Sequence, residues 1–283
     1  MSLIEMQRAL SVILTSPGVR HEYQRDPDFA LRQFSLTERE RTTLAALDSG
    51  RLQRYSAMLI AGRLELALKA LPVTRLLLPA DFTMKFGELY SRDYPPVILA
   101  GSAMLHEVHS IRQFITDLTQ SQVLNDPYLC NVVRFEASVF HLTNDIEAFS
   151  AATRCHQELV TPVTDTTRPL LERHVLICTF DSDILAILNA LRHGRRPEEH
   201  LLSSTTILLL RRNVDTPAVS IIRLNEASRE LLQKCDGATD IRELSRLYSD
   251  RIVDVLDRFV QSHIIAMLAA EEALPTAALS TGI

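Results

Sequence analysis

Through the first half of the chain, apolar residues recur at intervals of three or four, which is the spacing of one face of an α-helix. Leu3, Met6, Leu10 and Ile13 form such a face. Farther on, acidic or hydroxyl residues of the kind that cap helices stand before the apolar runs. Residues 1–150 are therefore predicted to form a helical domain.

The capping residues define these helices more closely. Thr37 and Glu40 predict a capping box, in which the hydroxyl accepts from a backbone N–H and the carboxylate reaches back to the cap residue. Asp48 predicts a long helix to about Ala70, and Asp81 predicts one over residues 82–90. Asp126 precedes Pro127, which loses no hydrogen bond at the first helical position, so a further helix is expected to reach Phe149.

Beyond Phe149 the helical pattern lapses, and Thr and Pro accumulate between Ala151 and Pro169, which is typical of a linker. We expect residues 151–200 to be a linker that carries one strand and one helix. The segment HVLICTF, residues 174–180, has the composition of a strand. Ser182 is then expected to cap a helix that Gly194 ends.

From about residue 201 the pattern changes again. The runs TTILLL (205–210) and AVSIIRL (218–224) flank Asn213, Asp215 and Pro217 and predict a β-hairpin. Three short helices are expected next, at 226–234, 241–248 and 251–263, capped by Asn225, by Asp240 with Glu243, and by Asp250. Gly237 closes the first of them, and a strand over 264–268 comes last.

A hairpin followed by three helices predicts a winged helix-turn-helix over residues 201–270, with a polar tail at 271–283. The expected fold class is mainly α: an N-terminal helical domain followed by a C-terminal α+β winged helix-turn-helix. The composition agrees, because Leu, Ala, Arg and Glu are plentiful, whereas the chain has only 8 Gly and no Trp.

Charge and cysteine content indicate the cellular compartment and the classes of partner to expect. The net charge of -5 at pH 7 does not attract nucleic acid or an anionic membrane. The four cysteines are far apart and form no CxxC pair, which favours reduced thiols in the cytoplasm. Neither a secretory signal nor an apolar run long enough to cross a bilayer is evident. We expect a cytoplasmic protein with no nucleic-acid or membrane partner.

Two groups of residues are candidates for chemistry. His106, Glu107 and His109 suggest a metal site, but the spacing HEVH is one residue short of the zinc signature HExxH. Glu136 lies among apolar residues, where a carboxylate is either paired, for instance with Arg134 or an arginine of another helix, or functional. No GxSxG motif or phosphate-binding loop occurs.

These observations assign no catalytic residue, no metal ligand and no cofactor to this chain. An enzyme whose site is assembled around His106, His109 and Glu136 stays open as a third hypothesis. The arginine pairs Arg195–Arg196 and Arg211–Arg212 are interpreted either as solvated termini or as anchors for an acidic peptide.

A winged helix serves either DNA binding or peptide binding. DNA binding needs a surplus of Lys and Arg, whereas residues 205–268 hold nine basic and nine acidic residues, and Asp254 and Asp257 stand beside Arg251 and Arg258. A transcription regulator with a helical sensor domain is therefore the alternative. A hairpin with an unpaired edge instead accepts an extended peptide as an added strand.

The predicted peptide groove lies between the second hairpin strand and the last helix. Its strand residues are Val219, Ser220, Ile221, Ile222 and Arg223, and its helix residues are Arg251, Val255, Arg258 and Phe259.

Two parts of the chain resemble known families. The segments SIIRLNEASRELLQKCDGATDIRELSRLY and VLDRFVQSHII, within residues 201–268, resemble the PqqD-like recognition element of pathways that modify ribosomally made peptides. The segments at 54–78 and 114–142, and DSDILAILNALRHG, resemble the helical partner subunits of multinuclear non-haem iron oxidases. Such subunits serve methanobactin biosynthesis and the 3-thiaglutamate pathway, and having both elements in one chain looks most like the latter.

The resemblance implies a non-catalytic accessory subunit that forms a heterodimer with a multinuclear non-haem iron oxidase. The iron belongs to the partner enzyme. This chain is expected to bind the leader of a precursor peptide and to present a peptide cysteine for modification.

Overall fold

The computed structural model of the protein describes residues 3–95, 103–145, 150, 163–213, 216–249 and 251–268. Contacts divide the chain into two compact units, the first comprising residues 1–137 and 188–195 and the second comprising residues 138–187 and 196–283. Most of the described residues lie in helices, and the strands form small antiparallel sheets. The prediction of a mainly α protein is confirmed.

Helices make up the first unit. They are α1 Leu3–Thr15, α2 Pro17–Arg25, α3 Pro27–Leu31, α4 Glu38–Ala45, α5 Ser49–Lys69, α6 Pro72–Leu77, α7 Phe82–Asp93, α8 Ala103–Gln120 and α9 Leu129–Asn144, of which α9 continues into the second unit. The predicted capping box is confirmed, because Thr37 Oγ1 accepts from the Glu40 N–H at 3.3 Å and the Thr37 N–H donates to the Glu40 carboxylate at 2.9 Å. Asp48 caps α5 as predicted, at 2.6 Å from the Arg51 nitrogen.

The predicted capping is not seen at two other helix starts. Asp81 makes no side-chain capping bond, although α7 begins directly after it. Asp126 accepts from the Tyr128 N–H at 2.9 Å and closes a tight turn, so α9 begins at Leu129 rather than at Pro127. The predicted end of this helix, Phe149, lies outside the described residues.

Two packed groups of side chains hold the first unit together. One is an apolar core that includes Ile13, Tyr23, Leu31, Leu44 and Leu52. The other is a set of aromatic rings on α7 and α8, in which Phe82, Phe86, Tyr90 and Phe114 meet with centroids 5.2 to 6.5 Å apart.

Strands and short helices alternate in the second unit. In chain order they are β1 Arg168–Leu171, β2 Val175–Phe180, α10 Ile184–Arg192, a 3-10 helix Glu199–Ser203, β3 Thr206–Arg212, β4 Val219–Leu224, α11 Glu226–Gln233, α12 Ile241–Tyr248, α13 Ile252–Gln261 and β5 Ile265–Leu268, with α10 divided between the units. The predicted strand near 174–180, the hairpin and the last strand are all confirmed as β2, β3–β4 and β5.

β2, β3 and β4 form an antiparallel sheet in that order. The register aligns Ile177, Leu209 and Ile222 across the three strands, so these residues share one face. Leu209 on that face packs in one core with Leu232 of α11 and Leu256 of α13. Apolar residues of three consecutive helices therefore cover one face of the sheet.

The predicted linker differs from the structure. Its end, Arg168–Leu171, is strand β1, which pairs antiparallel with β5. The other side of β1 bonds the turn after α11, where the Leu171 N–H donates to Cys235 at 2.8 Å and the Gly237 N–H donates to Pro169 at 2.9 Å. The first unit comprises residues 1–137 and 188–195. Residues 151–162 and the tail at 271–283 lie outside the described residues.

The helix caps of the second unit follow the prediction in part. Asn225 accepts from Ser228, and Asp240 accepts from Glu243, each at 2.8 Å. The cap of α10 is not Ser182 but its neighbour Asp183, whose Oδ1 lies 3.2 Å from the Ala186 nitrogen. Asp250, the predicted cap of α13, lies outside the described residues.

Candidate functional site

Strand β4 lies at the edge of its sheet. In the described parts of the chain, no strand pairs with the side of β4 that faces away from β3. The Asn213 N–H donates to the Ala218 carbonyl at 2.9 Å, which fixes the alternation of the ladder. It follows that Ser220 and Ile222 bond β3, whereas the N–H and C=O groups of Val219, Ile221 and Arg223 point outward. The predicted edge therefore exposes three donors and three acceptors.

The two isoleucines of β4 are unusually accessible for adjacent residues of a strand. Ile221 is 42% exposed and Ile222 is 40% exposed, whereas their partners on β3, Leu210 and Leu209, are fully buried. Because adjacent strand residues point to opposite faces, apolar surface is open on both sides of this edge.

Arg251, which directly precedes α13, and the three predicted residues within the helix lie along one stripe. Their spacing, 251, 255, 258 and 259, is that of a single helical face. Val255 and Phe259 are partly buried and pack against the same core as Leu224 of β4. Arg251 and Arg258 are exposed, and no ion pair of either occurs among the described residues. The structure thus places the apolar helix members of the predicted groove against a core that also contacts β4 through Leu224, whereas the apolar strand members Val219, Ile221 and Ile222 are not part of that core.

Arg211 and Arg212 play a role that neither interpretation of the sequence anticipated. The Arg211 guanidinium donates to the Ser262 carbonyl at the C-terminal end of α13. The buried Arg212 donates to the carbonyls of Leu142, at 2.7 Å, and Thr143, at the end of α9. Cations at helix C-termini satisfy unpaired carbonyls and the negative end of the helix dipole. Arg212 is therefore buried and Arg211 half-buried, and each is held at a helix end, whereas Arg195 and Arg196 are exposed.

Arg223 is already engaged. Its guanidinium donates to both carboxylate oxygens of Asp183, at 2.7 and 3.0 Å, and Asp183 also caps α10. At the open edge of β4, Arg223 thus offers its backbone N–H and C=O groups, whereas its side chain is held by Asp183. The sequence reasoning missed Asp183, although an acidic residue just before an apolar helical run is a recognisable capping signal.

The candidate metal site contains an ion pair instead. The Glu107 carboxylate accepts from Arg63 Nε at 2.7 Å and from the Tyr90 hydroxyl at 2.8 Å, and both charged side chains are largely buried. His109 Nδ1 lies 3.3 Å from the Arg112 guanidinium. Within the described ranges, no three His, Cys, Asp or Glu side chains are grouped closely enough to hold a metal ion.

Glu136 is paired with backbone N–H groups, and the charge of Arg192 in another helix also favours its carboxylate. Its two carboxylate oxygens accept from the backbone N–H groups of Val73, at 2.9 Å, and Thr74, at 2.7 Å. These donors are the first two N–H groups of α6, because Pro72 has none, so a side chain of α9 caps α6. Burial raises the pKa of Glu136, and the two N–H donors oppose that shift because they favour the charged carboxylate.

Comparison with known protein families gives no match, and no curated protein matches the chain. No helix within the described residues is long and apolar enough to cross a membrane.

Proposed function

We propose that this chain is a non-catalytic accessory subunit that binds the leader of a ribosomally made precursor peptide by adding it as a strand to β4. A partner iron-dependent oxidase, which holds the iron, then modifies a cysteine of the bound peptide. The observation that carries the proposal is the open outer edge of β4, a strand that shares a core with α13 through Leu224. Backbone pairing supplies affinity in this mode of recognition, and side-chain pockets supply specificity.

The order of elements supports a winged helix-turn-helix of the PqqD-like kind. Three antiparallel strands are followed by α11, α12 and α13. Residues that carry the family resemblance have defined structural roles, since Asn225 caps α11 and Gly237 adopts a φ of +77° in the turn that binds β1. The similarity therefore rests on positions that shape the backbone, and not on apolar composition alone.

The surroundings of the edge indicate which leader it fits. Alternate residues of an added strand point to the side where Ile222 is accessible and where Val255 and Phe259 lie on α13. Arg251 and Arg258 are exposed on the helical stripe that carries Val255 and Phe259. We expect a leader with apolar residues at alternating positions and a carboxylate near one of them, because this sequence would match both the apolar surface and the two cations.

Proline substitution tests strand addition. Ile221→Pro removes an outward N–H and leaves the β3–β4 hydrogen bonds in place, and proline is tolerated at sheet edges. We expect this variant to keep its thermal transition and to bind candidate leader peptides at least about tenfold more weakly, as measured by fluorescence anisotropy.

Two further variants serve as controls. Ile221→Val keeps the N–H and should bind normally, whereas Ile222→Pro removes a bond to β3 and should disturb the fold itself. Unchanged leader affinity in a folded Ile221→Pro variant would rule out strand addition at this edge. Salt-dependent retention of duplex DNA that is lost on changing Arg251 and Arg258 would favour a transcription regulator instead.

A further inference from the structure

Helix α5 has an apolar face on each side. Its inner face buries residues that include Leu52, Ile60, Leu64 and Leu68 in the first unit. Its outer face carries four large apolar side chains with exposed fractions of 61%, 69%, 49% and 53%, namely Tyr55, Met58, Leu59 and Leu66. Helical spacing aligns these four in one stripe, which we call the outer stripe. A helix that is apolar on both sides is normally covered on both sides.

The surface around the outer stripe is shaped to receive another protein. Gly62 lies between Leu59 and Leu66, and no atom lies within 4 Å of the place that a Cβ would take there. Beside the N-terminal end of the stripe is a cavity of about 590 Å³, lined by residues that include Leu10, Leu14, Leu47 and Tyr55. A ridge next to a cavity of this kind matches the anchor-and-pocket pattern of protein interfaces.

Cationic side chains predominate beside the outer stripe, since Asp48, which also lines the cavity, accepts from the Arg51 N–H as the cap of α5. Arg51 and Lys69 lie in line with it and Arg54 lies on its flank, and no ion pair of the three occurs among the described residues. The acidic residue of α5, Glu65, is held by Arg75 at 2.6 Å. A second copy packed antiparallel on the stripe would place its Lys69 opposite Arg51. Like charges that face each other oppose such a dimer.

We propose that the outer stripe is the docking surface for a folded protein partner whose matching surface carries an apolar ridge bordered by carboxylates. The inference rests on the proposed function, in which that partner is the iron-dependent oxidase. The cavity beside Tyr55 would receive an apolar side chain of the partner, and Arg51 and Arg54 would pair with its acidic rim. A nucleic acid does not fit, since its phosphates would leave four large apolar side chains unburied.

The test uses the full-length chain and a multinuclear non-haem iron oxidase, the partner named in the proposed function, purified separately and mixed. Met58→Glu and Arg54→Glu should each weaken the complex at least about tenfold by biolayer interferometry, through an unpaired charge in the apolar contact and through a lost charge pair. Gln53→Glu, an exposed position on the other side of α5, is the matched control and should bind normally. All three positions are exposed, so the thermal transitions should stay unchanged.

Two results would overturn the inference. One is an oxidase that fails to bind the wild-type chain or that binds the Met58→Glu variant equally well. The other is a concentration-dependent dimer, seen by sedimentation, that Met58→Glu dissolves, because the occupant would then be a second copy. Leader binding to the same variants separates this failure from that of the proposed function: it should remain normal in every α5 variant and be lost only in Ile221→Pro.

Discussion

At the scale of single residues, three buried or half-buried charged groups of this protein are held by backbone groups of another element. Glu136 binds the first N–H groups of α6, Arg211 binds the last turn of α13, and Arg212 binds the end of α9. The sequence showed that Glu136 needs a partner, because a carboxylate is costly among apolar residues. It did not show which partner, since the helix ends that meet it are far away in the chain.

His174 predicts how stability depends on pH. It is 1% exposed, and its pKa is lowered from 6.5 to about 4, mainly by burial and also by the nearby charges of Arg211 and His263, against a hydrogen bond with the His263 backbone. The unfolded chain therefore takes up a proton near pH 6.5 and the folded chain only near pH 4. Stability is fully present above pH 6.5 and is lost as the pH falls toward 4, by at most about 3 kcal/mol.

Urea midpoints of the wild-type protein and a His174→Gln variant, measured from pH 7.5 to 4.5, check this expectation. The midpoint of the variant should fall less over this range than that of the wild type. His193 is exposed, so His193→Gln should follow the wild-type curve. Parallel curves for the wild type and His174→Gln would show that this imidazole does not set the pH dependence.

At the scale of elements, local signals predicted most of the second unit, and a distant pairing was missed. Hydrophobic alternation and capping residues located β2, β3, β4 and the three helices after them. Strand β1 was assigned to the linker because its four residues, RPLL, include a proline and form no periodic pattern. Its partner β5 lies about a hundred residues later, so its pairing is a property of the fold and not of the local sequence.

The same limit applies to the candidate site. The strand edge and the stripe on α13 were predictable, because alternation and helical spacing define them. The Arg223–Asp183 pair was not, since it joins a strand to a helix cap 40 residues earlier.

Substitution of Gly237 tests how closely β1 and β5 pack against the turn after α11. A Cβ at this position would lie 3.2 Å from Leu268 Cδ1 and 3.3 Å from Leu170 Cδ1, at a φ of +77°. Gly194 has a similar φ of +66°, but nothing lies within 4 Å of its Cβ position, so Gly194→Ala measures the backbone penalty alone. We expect Gly194→Ala to lower the free energy of unfolding by about 1 kcal/mol and Gly237→Ala by about 2–3 kcal/mol. Equal losses in urea titrations would mean that β1 and β5 leave room for the methyl group.

At the scale of the whole molecule, the order of elements in the second unit determines which fragments of the chain can fold alone. The domain predicted at 201–270 omits β1 and β2. Without them β5 loses its partner strand, and β3 loses its hydrogen bonds to β2. Val175 and Leu171 are also missing from the core. We expect a fragment of residues 201–268 to lack a cooperative urea transition. The fragment 138–268, which also keeps the carbonyls that Arg212 binds, should unfold cooperatively.

The two fragments also distinguish the requirements for folding from the requirements for binding the leader and the oxidase. Fragment 138–268 keeps β4, α13 and everything that packs beneath them, so it should bind a leader peptide within about threefold of the full-length affinity. It lacks α5, so it should not bind the oxidase. Circular dichroism and fluorescence anisotropy on the same samples measure both properties. Cooperative unfolding and full leader affinity in fragment 201–268 would show that neither folding nor leader binding needs β1 and β2. The boundary predicted from the sequence would then enclose the complete recognition domain.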